Sequence, residues 1–227
     1  MGKKPLEMFH NLGYSNLVKT TKEELQPALS TPQKNAVVSV NQSEMTAFFH
    51  RKENHMIVLI AGASHTGKTL LAQRILEEFG YPYLCIDHLK MGLIRSGNTE
   101  LTPMDDDKLT DYLWPIVREM VKTAIENHQN LVVEGCYIPA HWARDFEKEY
   151  LEQIRYVCLV MSRDYIERHF NEIRTFGCAI EQRLDDSGLC KDDLIRENEA
   201  NLRACREQGC RYILLENDYK ISLKFLA

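Results

Sequence analysis

The residues from Gly62 to Thr69 read G-A-S-H-T-G-K-T and fit the pattern G-x-x-x-x-G-K-[ST]. In this pattern backbone N–H groups surround a phosphate, and glycine allows the close approach. Lys68 can neutralise charge on the β- and γ-phosphates, and the Thr69 hydroxyl can bind Mg²⁺. The predicted nucleotide-binding residues are Gly62, Ala63, Ser64, His65, Thr66, Gly67, Lys68, Thr69 and Leu70. We expect His65, at a freely variable position, to be an exposed loop residue without a chemical role.

The segments on either side of this loop have the character that phosphate binding requires. Upstream, "MIVLIAG" is an apolar, β-branched run typical of a buried parallel strand. Downstream, Leu70, Leu71, Ile75 and Phe79 recur at helical spacing until Gly80. A strand, a glycine-rich turn and a helix place the loop amides and the helix N-terminus around one anion.

Two carboxylates follow later strands. Asp87 ends the predicted strand "YPYLCID", and Glu134 ends "NLVVEG". In open α/β sheets ligands bind beyond the carboxyl ends of the strands, so both acids are candidate site residues. Asp87 could accept a proton from an attacking hydroxyl, hold Mg²⁺ through water, or simply cap the next helix. Glu134 is expected to bind substrate, with a structural cap as the alternative.

Basic residues follow the second and fourth strands. Lys90 and Arg95 come after Asp87 and could bind an anionic acceptor. The segment after "RYVCLVMS" carries four arginines that could close over a triphosphate and stabilise transition-state charge. They are Arg163, Arg168, Arg174 and Arg183. The alternative is that Glu167, Glu172 and Glu181 hold them in solvated ion pairs.

Strands and helices alternate from Met56 onwards. The sequence predicts five strands, in "MIVLIAG", "YPYLCID", "NLVVEG", "RYVCLVMS" and "RYILLEND". This alternation predicts an α/β fold of the P-loop NTPase type: a five-stranded parallel sheet with helices on both faces. We expect a helix capped by Thr102 and Asp105 and kinked or divided at Pro115, and another ending at Gly209. The polar turn Glu216-Asn217-Asp218 could border a nucleotide base.

Residues 1–55 differ from the rest, because they lack sustained periodicity. We expect an N-terminal extension, weakly ordered or partner-binding, before a catalytic domain at 56–227 with a lid around 163–188. A net charge of −5 argues against a general nucleic-acid or membrane binder. Seven cysteines without a C-x-x-C pair predict buried, reduced thiols. No run is long enough to span a membrane and no signal peptide is evident, so we expect a cytoplasmic protein.

Taken together, the motifs resemble those of P-loop small-molecule kinases with the adenylate-kinase-like fold. They are most similar to those of the group that includes 2-phosphoglycerate kinase, chloramphenicol phosphotransferase and the zeta toxins. "GASHTGKT", "CIDHLKMGLIRSG", "VVEGCY" and "ERHFNEIR" carry the resemblance, which covers about residues 56–218. It implies that Asp87 activates the acceptor hydroxyl and that Arg168 and Arg174 contact phosphate. The chain lacks the arginine-containing nucleotide-monophosphate pocket and the zinc-type lid of adenylate kinase, so that activity is not expected.

The leading hypothesis is an ATP- and Mg²⁺-dependent kinase that phosphorylates a small molecule. Its predicted catalytic residues are Lys68, Asp87, Arg168 and Arg174, with Asp87, Lys90, Arg95 and Glu134 at the acceptor and Thr69 at the metal. One alternative is a zeta-like toxin that phosphorylates a nucleotide sugar. Another is a nucleotide-dependent switch that binds a protein through residues 1–55.

Overall fold

The computed structural model of the chain describes residues 55–176 and 189–226. These residues form a five-stranded, wholly parallel sheet with strand order β2-β3-β1-β4-β5. The strands are β1 (Ile57–Gly62), β2 (Tyr83–Cys85), β3 (Leu131–Glu134), β4 (Ile154–Met161) and β5 (Tyr212–Leu215). The helices are α1 (Lys68–Phe79), α2 (Ile86–Arg95), α3 (Asp106–Glu126), α4 (Lys148–Leu151), α5 (Arg163–Phe176) and α6 (Lys191–Gln208). Single 3₁₀ turns lie at Trp142–Asp145 and Leu223–Leu226.

Strand β1 is central and has both faces covered. It pairs with β3 on one side and β4 on the other, and all six of its residues are buried. Ile57 and Leu59 pack in one apolar cluster with α3, whereas Val58 and Ile60 pack in a second cluster with α1 and α5. The predicted α/β fold, with a parallel sheet between two helical layers, is therefore confirmed.

Two helix ends are set by glycine as the sequence predicts. Helix α1 ends at Gly80 (φ 72°) and α6 ends at Gly209 (φ 67°). Both glycines adopt the left-handed conformation that glycine accommodates at a helix C-terminus. On α5, Ile166 and Ile173 are buried and pack in the same cluster as Val58 and Ile60 of β1.

Two local predictions are wrong. Strand β2 stops at Cys85, so Asp87 neither closes a strand nor caps a helix, but lies in the first turn of α2 with Cys85 as the N-cap. Helix α3 begins at Asp106 rather than near Pro103, although Asp105 does accept a hydrogen bond from the Thr102 N–H (2.9 Å) in the preceding turn. Pro115 lies inside α3 without dividing it, and the kink expected there stays a prediction.

The thiols are only partly as expected. In the described residues Cys85, Cys158 and Cys205 are buried, but Cys136 and Cys190 are exposed. No cluster of three or more His, Cys, Asp or Glu residues suited to a metal occurs in that part of the chain. No described helix combines the length and the apolar character needed to cross a bilayer. The predicted extension before residue 55, and the part of the predicted lid at 177–188 with Arg183, lie outside the described residues.

Candidate nucleotide and acceptor site

The loop between β1 and α1 has the backbone that close phosphate approach requires. Gly62 adopts φ 141°, and a Cβ there would lie 2.4 Å from the Leu159 carbonyl oxygen. Gly67 adopts φ 82° and caps α1, so the helix N-terminus opens onto the loop. Such a terminus presents N–H groups without intrahelical partners and favours an anion. His65 is half-buried rather than exposed and has a φ of 63°.

The other predicted loop residues lie around this turn. The Thr66 hydroxyl donates to the Ala63 carbonyl (2.9 Å), and the Lys68 ammonium donates to the same oxygen (2.7 Å). Thr66 and Lys68 are buried, Ser64 is half-buried and Leu70 is exposed on the first turn of α1. Lys68 is therefore folded back over the loop it follows in the chain.

The Lys68 ammonium is buried but electrostatically compensated. Burial lowers the pKa of Lys68, but the Cys136 thiol and the carboxylates of Glu134 and Asp87 raise that pKa by more. The net direction is upward, so the group is a cation at neutral pH. A buried cation surrounded by acidic groups can bind a phosphate by exchanging one set of anionic partners for another.

Glu134 and Thr69 form the second feature of the site. Glu134 ends β3 beside Ile60 of β1 and is 2% exposed. The Thr69 hydroxyl donates to Glu134 Oε1 at 3.1 Å. A hydroxyl and one carboxylate suit Mg²⁺, which prefers oxygen ligands and keeps several waters or substrate phosphates rather than a full protein cage. The geometry thus brings Glu134 to the predicted metal residue.

Asp87 belongs to a hydrogen-bonded chain of four side chains. Its Oδ1 lies 2.5 Å from Lys90 Nζ, one turn further along α2. Lys90 Nζ also donates to the Tyr137 hydroxyl (2.9 Å), and that hydroxyl donates to Asp106 Oδ1 (2.8 Å) at the start of α3. Tyr137 is 5% exposed. Its pKa is raised, most strongly by burial and next by the hydrogen bond to Asp106. We call this the acceptor network: Asp87, Lys90, Tyr137 and Asp106.

Sequence reasoning missed Cys136 and Tyr137 as members of the site. Both follow Glu134 in "VVEGCY", but only folding brings Tyr137 to Lys90 and Asp106, which are 47 and 31 residues away along the chain. Cys136 is accessible to solvent, yet desolvation by the surrounding protein dominates and raises its pKa, with Lys68 acting in the opposite direction.

Other predicted binding residues are not brought to this cluster. Arg95 is the exposed last residue of α2, about 12 Å along the helix axis from Asp87. Arg163 pairs with Glu199 of α6 at 2.7 Å and lies 4.0 Å from Glu167, a partner that the ion-pair alternative names. Arg168 donates to the main-chain carbonyls of Asp164 and Glu216, and Arg174 is exposed near the end of α5.

The segment after β5 contacts the phosphate loop. The sequence predicted a polar turn in this segment but not this contact. The Tyr219 hydroxyl donates to the Gly67 carbonyl at 2.8 Å. Arg74 of α1 donates to the Ile221 carbonyl at 3.0 Å. This segment, Glu216–Ile221, is called the C-terminal clasp below.

The chain is an α/β protein with a P-loop fold, as the strand order and the phosphate loop before α1 show. No protein-family model matches it, and no curated protein matches it either. Among solved structures it is similar to a gluconokinase from Sinorhizobium meliloti 1021, with 19% identity, 68% of this chain and 95% of the other covered, and a TM-score of 0.36. It is also similar to a sugar kinase from Janibacter sp. HTCC2649, with 14% identity, coverage of 71% and 85%, and a TM-score of 0.45. A shikimate kinase from Acinetobacter baumannii, in complex with shikimate, gives 17% identity, coverage of 75% and 88%, and a TM-score of 0.44.

Proposed function

We propose that the chain is an ATP-dependent phosphotransferase that moves the γ-phosphate of ATP onto a hydroxyl or phosphate group of a small molecule. The observation that carries the proposal is that two acids which raise the pKa of buried Lys68, Glu134 and Asp87, each have a hydrogen-bonded partner of their own. One acid lies at the hydroxyl of Thr69, while the other belongs to the acceptor network. Phosphoryl transfer needs one group of residues at the donor phosphate and another at the acceptor, because the donor phosphate and the acceptor must meet in line.

On the nucleotide side, the loop amides and Lys68 bind the β- and γ-phosphates. Mg²⁺, when bound with ATP, would neutralise charge that develops on the transferring group. Thr69 and Glu134 would hold it, Thr69 as a ligand and Glu134 directly or through water. This assigns Glu134 to the metal rather than to the acceptor. Lys68 keeps its cationic charge in a buried setting, where it acts on the phosphate more strongly than it would in water.

On the acceptor side, Asp87 orients the acceptor hydroxyl and takes its proton. The acceptor oxygen then bonds to the γ-phosphorus as the bond from that phosphorus to the β,γ-bridging oxygen breaks, and ADP leaves with the electron pair. Lys90 pairs with Asp87 and holds it in place, and Tyr137 and Asp106 hold Lys90. Arg168 and Arg174 remain our candidates for lid arginines that contact phosphate.

The test is phosphate transfer from Mg²⁺-ATP to a panel of sugars, sugar acids, sugar phosphates, nucleotides, nucleotide sugars, and aminoglycoside and phenicol antibiotics. Lys68→Ala should lose ATP binding and transfer together. Asp87→Asn should retain ATP binding and lose about 10²- to 10⁴-fold in transfer, the range for a general base.

Two matched controls are available on exposed surface. Lys148→Ala on α4 and Asp111→Asn on α3 make the same charge changes outside the site and should leave transfer unchanged. Transfer that survives Asp87→Asn would contradict the role of Asp87. ATP binding without transfer to any acceptor would contradict the kinase and favour a nucleotide-dependent switch, whereas transfer confined to nucleotide sugars would favour the zeta-like alternative.

A further inference from the structure

Tyr219 of the C-terminal clasp lies directly against the phosphate loop. Its hydroxyl donates to the Gly67 carbonyl across 152 residues of sequence, at 2.8 Å. A Cβ on Gly67 would lie 2.5 Å from the Tyr219 hydroxyl oxygen and 2.6 Å from its ring. Gly67 is thus required both by its φ of 82° and by the tyrosine packed upon it.

This contact fixes the orientation of one peptide group. The Gly67 carbonyl also accepts the Leu71 N–H (3.0 Å), the first hydrogen bond of α1. The described residues contain no cis peptide, so the Gly67 C=O and the Lys68 N–H point in opposite directions. With the carbonyl held toward the helix and Tyr219, the Lys68 N–H points out of the helix N-terminus, toward the loop that would surround the phosphate.

The clasp itself is anchored at both ends, so Tyr219 has a defined position. Arg168 of α5 donates to the Glu216 carbonyl, and Arg74 of α1 donates to the Ile221 carbonyl. Ile221 is buried and belongs to the same apolar cluster against which the Tyr219 ring packs. These contacts connect the C-terminal clasp to α5 and to α1, the helix that begins at the phosphate loop.

We infer that Tyr219 is a positioning residue for phosphate binding, which holds the Gly67–Lys68 peptide in the orientation that the triphosphate needs. The inference rests on the proposed ATP site and adds to it a residue that touches the loop rather than the reacting atoms. It requires that loss of the hydroxyl weaken the binding of phosphates specifically, because the proposal places the phosphates, and not the base, at that peptide.

The experiment compares the full-length wild-type protein with Tyr219→Phe, which keeps the ring and removes the hydroxyl. Each is titrated with a fluorescent ATP analogue, which is then displaced by ATP, by Mg²⁺-tripolyphosphate or by adenosine. Loss of one hydrogen bond should weaken ATP and tripolyphosphate by about 3- to 10-fold and leave adenosine within about twofold. Tyr212→Phe, the same change in β5, is the matched control and should bind all three like wild type.

The other outcomes separate the two proposals. Unchanged ATP and tripolyphosphate affinity in Tyr219→Phe would overturn the positioning role. An equal weakening of adenosine would also overturn it, because a tyrosine that contacts the base or merely supports the fold would affect both halves of the nucleotide. Wild-type protein that binds neither ATP nor tripolyphosphate would instead contradict the proposed function itself.

Discussion

Tyr137→Phe is the substitution that tests the acceptor network most directly. It removes one oxygen atom and keeps a ring that is 5% exposed, so apolar packing is retained. The Tyr137 hydroxyl accepts a hydrogen bond from Lys90 and donates one to Asp106. Both partners would lose this contact, while Lys90 would keep its ion pair with Asp87.

The expected loss of stability follows from those two contacts. A hydrogen bond to a charged group contributes about 1.5–3 kcal/mol. Asp106 is exposed and can be rehydrated, and Lys90 keeps Asp87, so only part of this is lost. We expect the free energy of unfolding to fall by about 1–3 kcal/mol, or roughly 2–10 °C in Tm for a chain of this size.

The functional effect should be confined to the acceptor. With Lys90 held by Asp87 alone, the orientation of Asp87 is less restricted, so kcat/KM for the acceptor should fall by about 10-fold while the KM for ATP stays within about twofold. Tyr150→Phe is the matched control, because its hydroxyl donates to the exposed Glu126 at 2.7 Å. It should change unfolding by less than about 1 kcal/mol and leave both kinetic constants unchanged.

Two results would refute this reasoning. If Tyr137→Phe raised the KM for ATP as much as it lowered acceptor kcat/KM, the network would support the nucleotide side instead. If it lowered Tm but left every kinetic constant unchanged, the four side chains would be a structural link between α2 and α3. Denaturant unfolding and steady-state kinetics on the same preparations distinguish these cases.

Three further predictions concern Glu134, Cys136 and Asn198. Glu134→Gln keeps a partner for Thr69 but removes the charge, so it should raise the Mg²⁺ concentration needed for half-maximal transfer by about 10-fold or more; an unchanged Mg²⁺ titration would exclude Glu134 from the metal site. The pKa of the Cys136 thiol is raised above the ordinary 9.0, so its rate of alkylation by iodoacetamide should keep rising from pH 7 to pH 9 without a plateau. Bound ATP should lower that rate, which mass spectrometry measures. Asn198→Ala should cost roughly 1–3 kcal/mol in denaturant unfolding, because the buried Asn198 accepts the Met161 N–H at 2.8 Å; a cost below about 0.5 kcal/mol would contradict that role.

Local patterns predicted the phosphate loop and the helix after it because their determinants are contiguous in the chain. Gly62 and Gly67 meet backbone requirements within the loop itself. Gly80 ends the helix directly after three exposed residues, Glu77, Glu78 and Phe79. The end of β2 was mispredicted because Ile86 continues an apolar run, although it is the first residue of a helix. An apolar run cannot by itself distinguish a strand from the start of a buried helix.

The contacts that complete the site could not be predicted in this way. Tyr137 meets Lys90 and Asp106, and Tyr219 meets Gly67, only because parallel strands bring their carboxyl ends to one edge. The positions of Arg95 and Arg163 likewise could not be predicted from charge alone: the first lies two helical turns from Asp87, and the second pairs with another helix. A sequence shows which cations exist, but ion pairs within the fold decide which of them face a ligand.

The arrangement of the two acids favours catalysis over nucleotide sensing. In the proposed site Glu134, beside Thr69, would supply the carboxylate that binding Mg²⁺-ATP requires. Asp87 adds a second carboxylate, held by Lys90 and Tyr137 and still close enough to Lys68 to raise its pKa. A sensor gains nothing from a fixed anion there, since it repels the γ-phosphate. An acceptor hydroxyl would gain, because the same anion would orient it and take its proton. Asp87→Asn should accordingly strengthen or preserve ATP binding while it removes transfer; weaker ATP binding in that variant would favour the sensor.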